Sequence, residues 1–353
     1  MAFTNYTPFT IATGQVPSTQ TSFVAVIKPT DNRFKTIGNG GNVSSSSGFD
    51  IRPYTNASLS TPVLYSLIPG TYSATTGTFE MWVNITAQDG NVVYLAYGDT
   101  NLTSDGSSTS TWNQNLAVMF PDGTTLSVVD SSPNGRNGTN NGCTATTGQI
   151  DGGIHLDGST NEVNFGTSVV TGTISKFSLS IWLKNGASEG GFAHVIDKIA
   201  ATSAGFSVQV SGDTTVIGVY LPQTSTGFMV TPTGAITTTE LNHFVFVYDG
   251  SGTGDSGKLK IYKNASSLTL TFPVSVPSTI TSNDTTAFRL GFADAATGDP
   301  FWGGDADALI FINGTSYTAN WVTTMYNNQS APTTFWTIGT EVLIDTLFGQ
   351  SVF

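Results

Sequence analysis

The stretch FSLSIWLK, residues Phe177–Lys184, places an apolar side chain at every second position. Phe177, Leu179, Ile181 and Leu183 point one way, and Ser178, Ser180, Trp182 and Lys184 point the other. That two-residue period is the mark of a strand with one face on a core and one on solvent.

The same signature recurs on both sides of it. Downstream, FSVQVSGDTTVIGVYL reads as two strands around a Gly212-Asp213 turn, and HFVFVYDGSGTGDSGKLKIYKNASSLTLTF as further hairpins. Upstream, Ser22–Lys28, Thr61–Leu67, Thr78–Asn84 and Asn91–Gly98 are short aromatic or β-branched runs separated by Gly, Asn, Ser and Pro, with a further short strand expected at Phe49–Arg52. The one helical pattern is TANWVTTMYNN (Thr318–Asn328), where Trp321, Val322 and Met325 share a face. A polar segment, Asp99–Gln114, holds little to bury and sets a domain boundary near Ser110. The expectation is an all-β chain of two β-sandwich domains, 1–110 and 111–340, with an apolar tail at 341–353. No 20–50-residue repeat suggests a solenoid or propeller.

Composition narrows the function. Charged residues are only 10% of the 353, while 22 Phe, 11 Tyr and 6 Trp provide the material of a core. A net charge of −12, with 12 scattered basic residues, argues against a nucleic-acid partner. With Cys143 the lone cysteine there is no intramolecular disulfide and no four-cysteine zinc site. His155, His194 and His243 lack metal-site spacing. The opening MAFTNYTPFTIATG has no basic segment followed by an apolar one, so no secretory signal is expected. No apolar run is long enough to span a membrane.

Six segments carry a family resemblance, in the right order over about two-thirds of the chain. They are Asp130–Thr139, which opens Asp-Ser-Ser-Pro-Asn-Gly, then GGIHLDGSTNEVNFG (Gly152–Gly166), FSLSIWLKNG, LNHFVFVYDGS, the stretch from Leu290 through FWGGDADALIFING, and YNNQSAPTTFWTIGTE (Tyr326–Glu341). Together they resemble the laminin-G-like, concanavalin-A-like jelly-roll domains. The first ~110 residues resemble a small β-domain of unknown function that precedes such domains in tailed-phage structural proteins and in prokaryotic surface proteins.

The resemblance raises a short set of candidate chemistries. Glucanases of this fold carry paired glutamates on one strand, whereas Glu80, Glu162, Glu189, Glu240 and Glu341 are all far apart in sequence. No Gly-x-Ser-x-Gly elbow is present. The resemblance maps a closing-strand acid onto Asp307, which either holds a structural calcium ion with Asp157 or backbone oxygens near Gly158, or hydrogen-bonds backbone amides at a sheet edge. Asp305 is read as a loop acid beside Trp302. For a sugar platform the candidate rings are Trp302, expected to be exposed in its Gly-rich loop, Tyr220, Tyr54 and Trp182, the last more readily a packed sheet aromatic. The apolar end VLIDTLFGQSVF either contacts a neighbouring subunit or returns to the first domain.

The reading is therefore a non-enzymatic protein that presents a lectin-like surface. Its expected setting is the virion surface of a tailed phage, as a head decoration, fibre or tail-associated adhesin. The expected partners are other virion proteins, further copies of itself as a homo-oligomer, and host surface glycans. The alternative is a glycan-binding module of a secreted or cell-surface prokaryotic protein.

Overall fold

The computed structural model describes residues 3–120, 126–150, 152–186, 191–200, 204–211, 215–222, 227–282, 284–292 and 299–344. The chain forms two compact units. Unit 1 comprises Met1–Trp112 and Thr323–Phe353, and unit 2 comprises Asn113–Val322. The chain passes from unit 1 to unit 2 after Trp112 and returns to unit 1 after Val322, within a helix.

In unit 1, β1 (Asn5–Ile11), β2 (Gln20–Ile27), β3 (Arg52–Tyr54), β4 (Tyr65–Leu67), β5 (Met81–Ala87) and β6 (Val92–Tyr97) form two antiparallel sheets. One has the order β2-β5-β4. The other contains β1-β6-β3 and is completed from the far end of the chain. Aromatic edges fill the core: Phe34 meets Phe79 at 5.2 Å and Tyr97 at 5.1 Å.

Unit 2 is a jelly-roll sandwich. Its strands are β7 (Leu116–Val118), β8 (Thr139–Asn141), β9 (Thr144–Thr147), β10 (Gly152–Asp157), β11 (Glu162–Asn164), β12 (Thr173–Ile174), β13 (Lys176–Asn185), β14 (Phe192–Ala200), β15 (Ala204–Ser211), β16 (Ile217–Leu221), β17 (Gly227–Val230), β18 (Asn242–Asp249), β19 (Leu259–Lys263), β20 (Ser266–Ser267), β21 (Ile280–Thr281), β22 (Arg289–Leu290) and β23 (Gly303–Asn313). One sheet runs β20-β19-β18-β13-β23-β10-β9, with β7 also on β23, and the other runs β17-β16-β15-β14-β22-β11-β8. Their inner faces close on one another through Phe177, which stacks on Phe206 at 4.5 Å and lies 5.9 Å from Phe311.

β13 sits in the middle of its sheet, paired with β18 and β23. Its expected inward residues are all buried, but so are Ser178, Ser180 and Trp182 on the other face. The strand is not half-solvated. Ser178 Oγ donates to Thr315 O and accepts the Tyr317 amide, and Ser180 Oγ bonds the His243 ring. Trp182 lies 5.0 Å from that ring as a packed aromatic.

Beyond β23 the expected helix is present as α2 (Ala319–Ser330), the earlier α1 (Gly254–Lys258) being a single turn and α3 (Pro332–Phe335) another. β24 (Trp336–Ile338) and β25 (Val342–Leu343) then pair with β1 in unit 1. The described part of the apolar tail therefore returns to the first unit, and residues 345–353 lie outside the described residues.

Candidate ligand-binding face

The acids singled out in the sequence lie on β23 and β10, on the outward side of the larger sheet. Asp307 is buried, and its Oδ2 accepts the amides of Gln149 at 2.8 Å and Ile150 at 2.9 Å. It pins a turn to the sheet. Gly148 is required there, since a Cβ would fall 1.9 Å from Gly152 O and 2.7 Å from Asp307 Oδ2. The Asp157 carboxylate is taken up by its own loop, accepting the amides of Ser159, Thr160 and Asn161 and the Ser159 hydroxyl. Those bonds hold it well below the ordinary carboxylate range. Asp157 pairs with Gly303, whereas Asp307 lies across from the other end of β10, about 13 Å away at ~3.3 Å per residue. These two residues do not fit a shared calcium ion. Among the described residues no group of three or more His, Cys, Asp or Glu could hold a metal.

Trp302 corrects the expectation of an exposed loop aromatic. It is fully buried in the sandwich core, and its indole N–H donates to Asn185 Oδ1 at 2.8 Å. The neighbouring Gly303 and Gly304 belong to β23, and a Cβ on Gly304 would meet the Lys184 carbonyl at 2.4 Å and the Trp302 ring at 2.5 Å. The glycines there permit close packing. Asp305 is not free beside it: one oxygen bonds His155 Nδ1 at 2.6 Å and the other pairs with Lys184 Nζ, tying three adjacent strands together. Tyr54 is buried in unit 1, in a small cluster with Phe3.

Tyr220 lies elsewhere, on the outer face of the second sheet, and there the structure assembles a cluster the sequence did not reveal. His194 and Asp197 on β14 face Gln209 and Ser207 on β15. In a regular strand, residues three apart point to opposite sides. Here the register shifts between His194 and Ile196, so Val195 and Ile196 both enter the core while His194 and Asp197 both turn outward. His194 Nδ1 lies 3.0 Å from Asp197 Oδ1, and its Nε2 lies 3.2 Å from Asp299 Oδ2 and 2.9 Å from Gln209 Nε2. Burial works against a charge on His194, but the two carboxylates outweigh it and raise its pKa above the usual value.

This polar layer is covered, with His194, Asp197, Ser207 and Gln209 all buried. Above it runs an accessible rim. Phe192 is 43% exposed and meets Phe228 edge-on at 4.9 Å. The Phe228 ring lies over Gly218, where a Cβ would come within 2.9 Å of it. Tyr220 pairs with Ser207 on one side and Phe228 on the other. On the far side, Arg289 pairs with Asp197 across β14 and β22 and stacks its guanidinium 4.0 Å from the Phe292 ring. Asp197 Oδ2 and Arg289 Nε have no hydrogen-bond partner among the described residues, although Arg289 Nε lies 3.8 Å from Glu162 Oε2. The face thus offers aromatic rings over a rigid, buried polar layer.

Comparison with known proteins agrees with the architecture. Residues 156–323 match the concanavalin A-like lectin/glucanases superfamily. The matched residues contain β11 to β23 and so the whole of the rim. Among solved structures, domain 4 of an extracellular arabinanase from Geobacillus stearothermophilus, in complex with arabinotriose, is similar at 18% identity and TM-score 0.42, over 60% of this chain and 98% of that one. The botulinum neurotoxin serotype D binding domain is similar at 13% identity and TM-score 0.43, over 61% of this chain and 51% of that one, so the chain spans about half of its length. The CBM40 of the Ruminococcus gnavus IT-sialidase, bound to α2,3-sialyllactose, is similar at 11% identity and TM-score 0.37, over 48% of this chain and 94% of that one. A search of the curated proteins finds no match. No helix among the described residues is long and apolar enough to cross a membrane.

Proposed function

We propose that unit 2 is a glycan-binding module whose ligand lies across the rim formed by Phe192, Phe228, Tyr220, Asp299 and Arg289. The observation that carries this reading is the pairing of the exposed Phe192 with the half-buried Phe228 beside a buried His194–Asp197–Gln209 layer. An aromatic face covers the apolar side of a sugar ring, and fixed polar groups select its hydroxyls. The buried layer positions the rim, because Asp299 is held through His194.

Binding rather than catalysis is favoured by how the acids are engaged. Glycoside hydrolysis uses two carboxylates flanking the scissile bond, one as acid and one as nucleophile or base. Asp197 and Asp299 instead lie on the two nitrogens of one imidazole. The setting proposed for the module is the virion surface that the domain pairing suggests, and mass spectrometry of purified particles tests it.

A glycan array with the full chain tests the binding itself. Phe192→Ala is expected to weaken a captured glycan about tenfold, equivalent to ~1.4 kcal/mol, with the fold intact. Unchanged binding in that variant removes the rim from the reading.

A further inference from the structure

Unit 1 contains a separate pair of adjoining cavities, of about 410 Å³ and about 300 Å³. They share one wall, Ser46, Ser47 and Phe49, so that Phe49 is a ridge with a cavity on each side. Each is within the size range of small-ligand sites. On one side the lining is apolar, with Leu67, Ile68 and Pro69. On the other it is hydroxylic, with Thr100 and Thr103.

The shared wall is preorganised. Asp50 is buried and accepts the amides of Ser44 at 2.8 Å, Ser45 at 3.0 Å and Gly98 at 2.9 Å. Gly48, at φ +72°, packs where a Cβ would strike the Tyr72 ring at 2.7 Å, and the Tyr72 hydroxyl is anchored on Phe34 O. The loop is held on both sides before any ligand arrives, which lowers the ordering cost of binding.

We infer that this double cavity is a second carbohydrate site, taking a neutral oligosaccharide of at least two sugar units that straddles Phe49. Three features choose the occupant. Among the described residues, neither cavity is lined by Lys, Arg or His, while Asp99 and Asp105 stand on their walls, so an anionic chain is repelled. The amides of Ser44, Ser45, Ser47 and Gly48 are already bonded within the loop, which leaves little main chain for a peptide to pair with by strand addition. What remains on offer is a half-buried aromatic ring and the hydroxyls of Ser46, Ser47, Thr100 and Thr103, which both donate and accept.

The test is hydrogen exchange on the full chain with millimolar maltohexaose, cellohexaose or xylohexaose, and with the basic peptide Lys-Gly-Lys-Gly-Lys-Gly-Lys. The site predicts that at least one hexasaccharide slows exchange about fivefold or more in segments 44–54 and 98–106. Ser46→Trp, which places an indole on the wall both cavities share, abolishes this protection, and Phe192→Ala does not. Should Ser46→Trp fail to fold, Thr103→Trp closes the polar cavity from the opposite wall. The inference is overturned if no hexasaccharide protects, if only the basic peptide does, or if protection survives the tryptophan variant.

Discussion

The two outer faces of the jelly roll each carry a cluster of acids beside a histidine, and the clusters do different things. On the larger sheet, Asp305 is shared by His155 and Lys184, and Asp307 bonds two amides. These carboxylates are consumed in holding strands and a turn. On the smaller sheet, Asp197 and Asp299 flank one buried imidazole, and an aromatic pair, the exposed Phe192 and the half-buried Phe228, lies alongside. Residue type is nearly the same in both places. What separates a structural cluster from a binding face is what the polar atoms already hold and whether an apolar platform adjoins them.

The strongest way to break this contrast is at Asp307. Asp307→Ala removes the carboxylate that accepts the half-buried Gln149 amide and the buried Ile150 amide, and is expected to cost about 2–4 kcal/mol in chemical denaturation. The loss should be the same with and without a chelator. A chelator-dependent loss would make the residue a metal ligand and not a latch.

Trp302→Phe keeps most of the packing but removes the indole N–H that donates to Asn185 Oδ1, for an expected cost of about 1–3 kcal/mol by the same measurement. A neutral result would mean the indole N–H is dispensable and the buried position is set by packing alone.

The His194 cluster should give the molecule a pH dependence. The folded state holds the imidazolium above the usual value near 6.5. Its contribution to stability is therefore fully present below about pH 6.5. It is lost as the pH rises through the raised folded-state pKa. Denaturation between pH 5.5 and 8.5 should show stability falling with pH, and His194→Gln should flatten that slope. An unchanged slope would place the titration elsewhere.

The smallest stability effects should come from the exposed partners. His155→Ala, at a side chain 49% exposed, and Phe192→Ala are each expected to change stability by less than ~0.5 kcal/mol. Only Phe192→Ala should change glycan capture, and that difference is the sharpest separation of the two faces.

Most of the architecture could be read from side-chain period. The alternation in β13, the paired runs of β15 and β16 and the helical face of α2 all appear in the structure where the pattern places them. The candidate site could not be read the same way, because it depends on a break in the period. Val195 is an ordinary apolar residue, yet its insertion as a bulge turns His194 and Asp197 to one side, and only the partner strand's register reveals this. Trp302 departs from its local pattern for a related reason. Paired glycines next to acids suggest a loop, but here they let a strand approach an indole and a neighbouring carbonyl. Burial on the outer side of β13 also lies beyond pattern alone, since Ser178 is satisfied by residues more than a hundred positions away.

The return of the C-terminal strands to unit 1 sets an order in time. β1 pairs with β24 from Phe9↔Ile338 to Ile11↔Trp336, so residues made before the jelly roll wait for residues made after it. At a synthesis rate of ~5–20 residues per second, that wait is on the order of 20–60 s. Throughout it the intervening jelly roll can be completed, while one edge of β1 stays open to any passing strand. Unit 1, begun before the jelly roll, is thus closed after it.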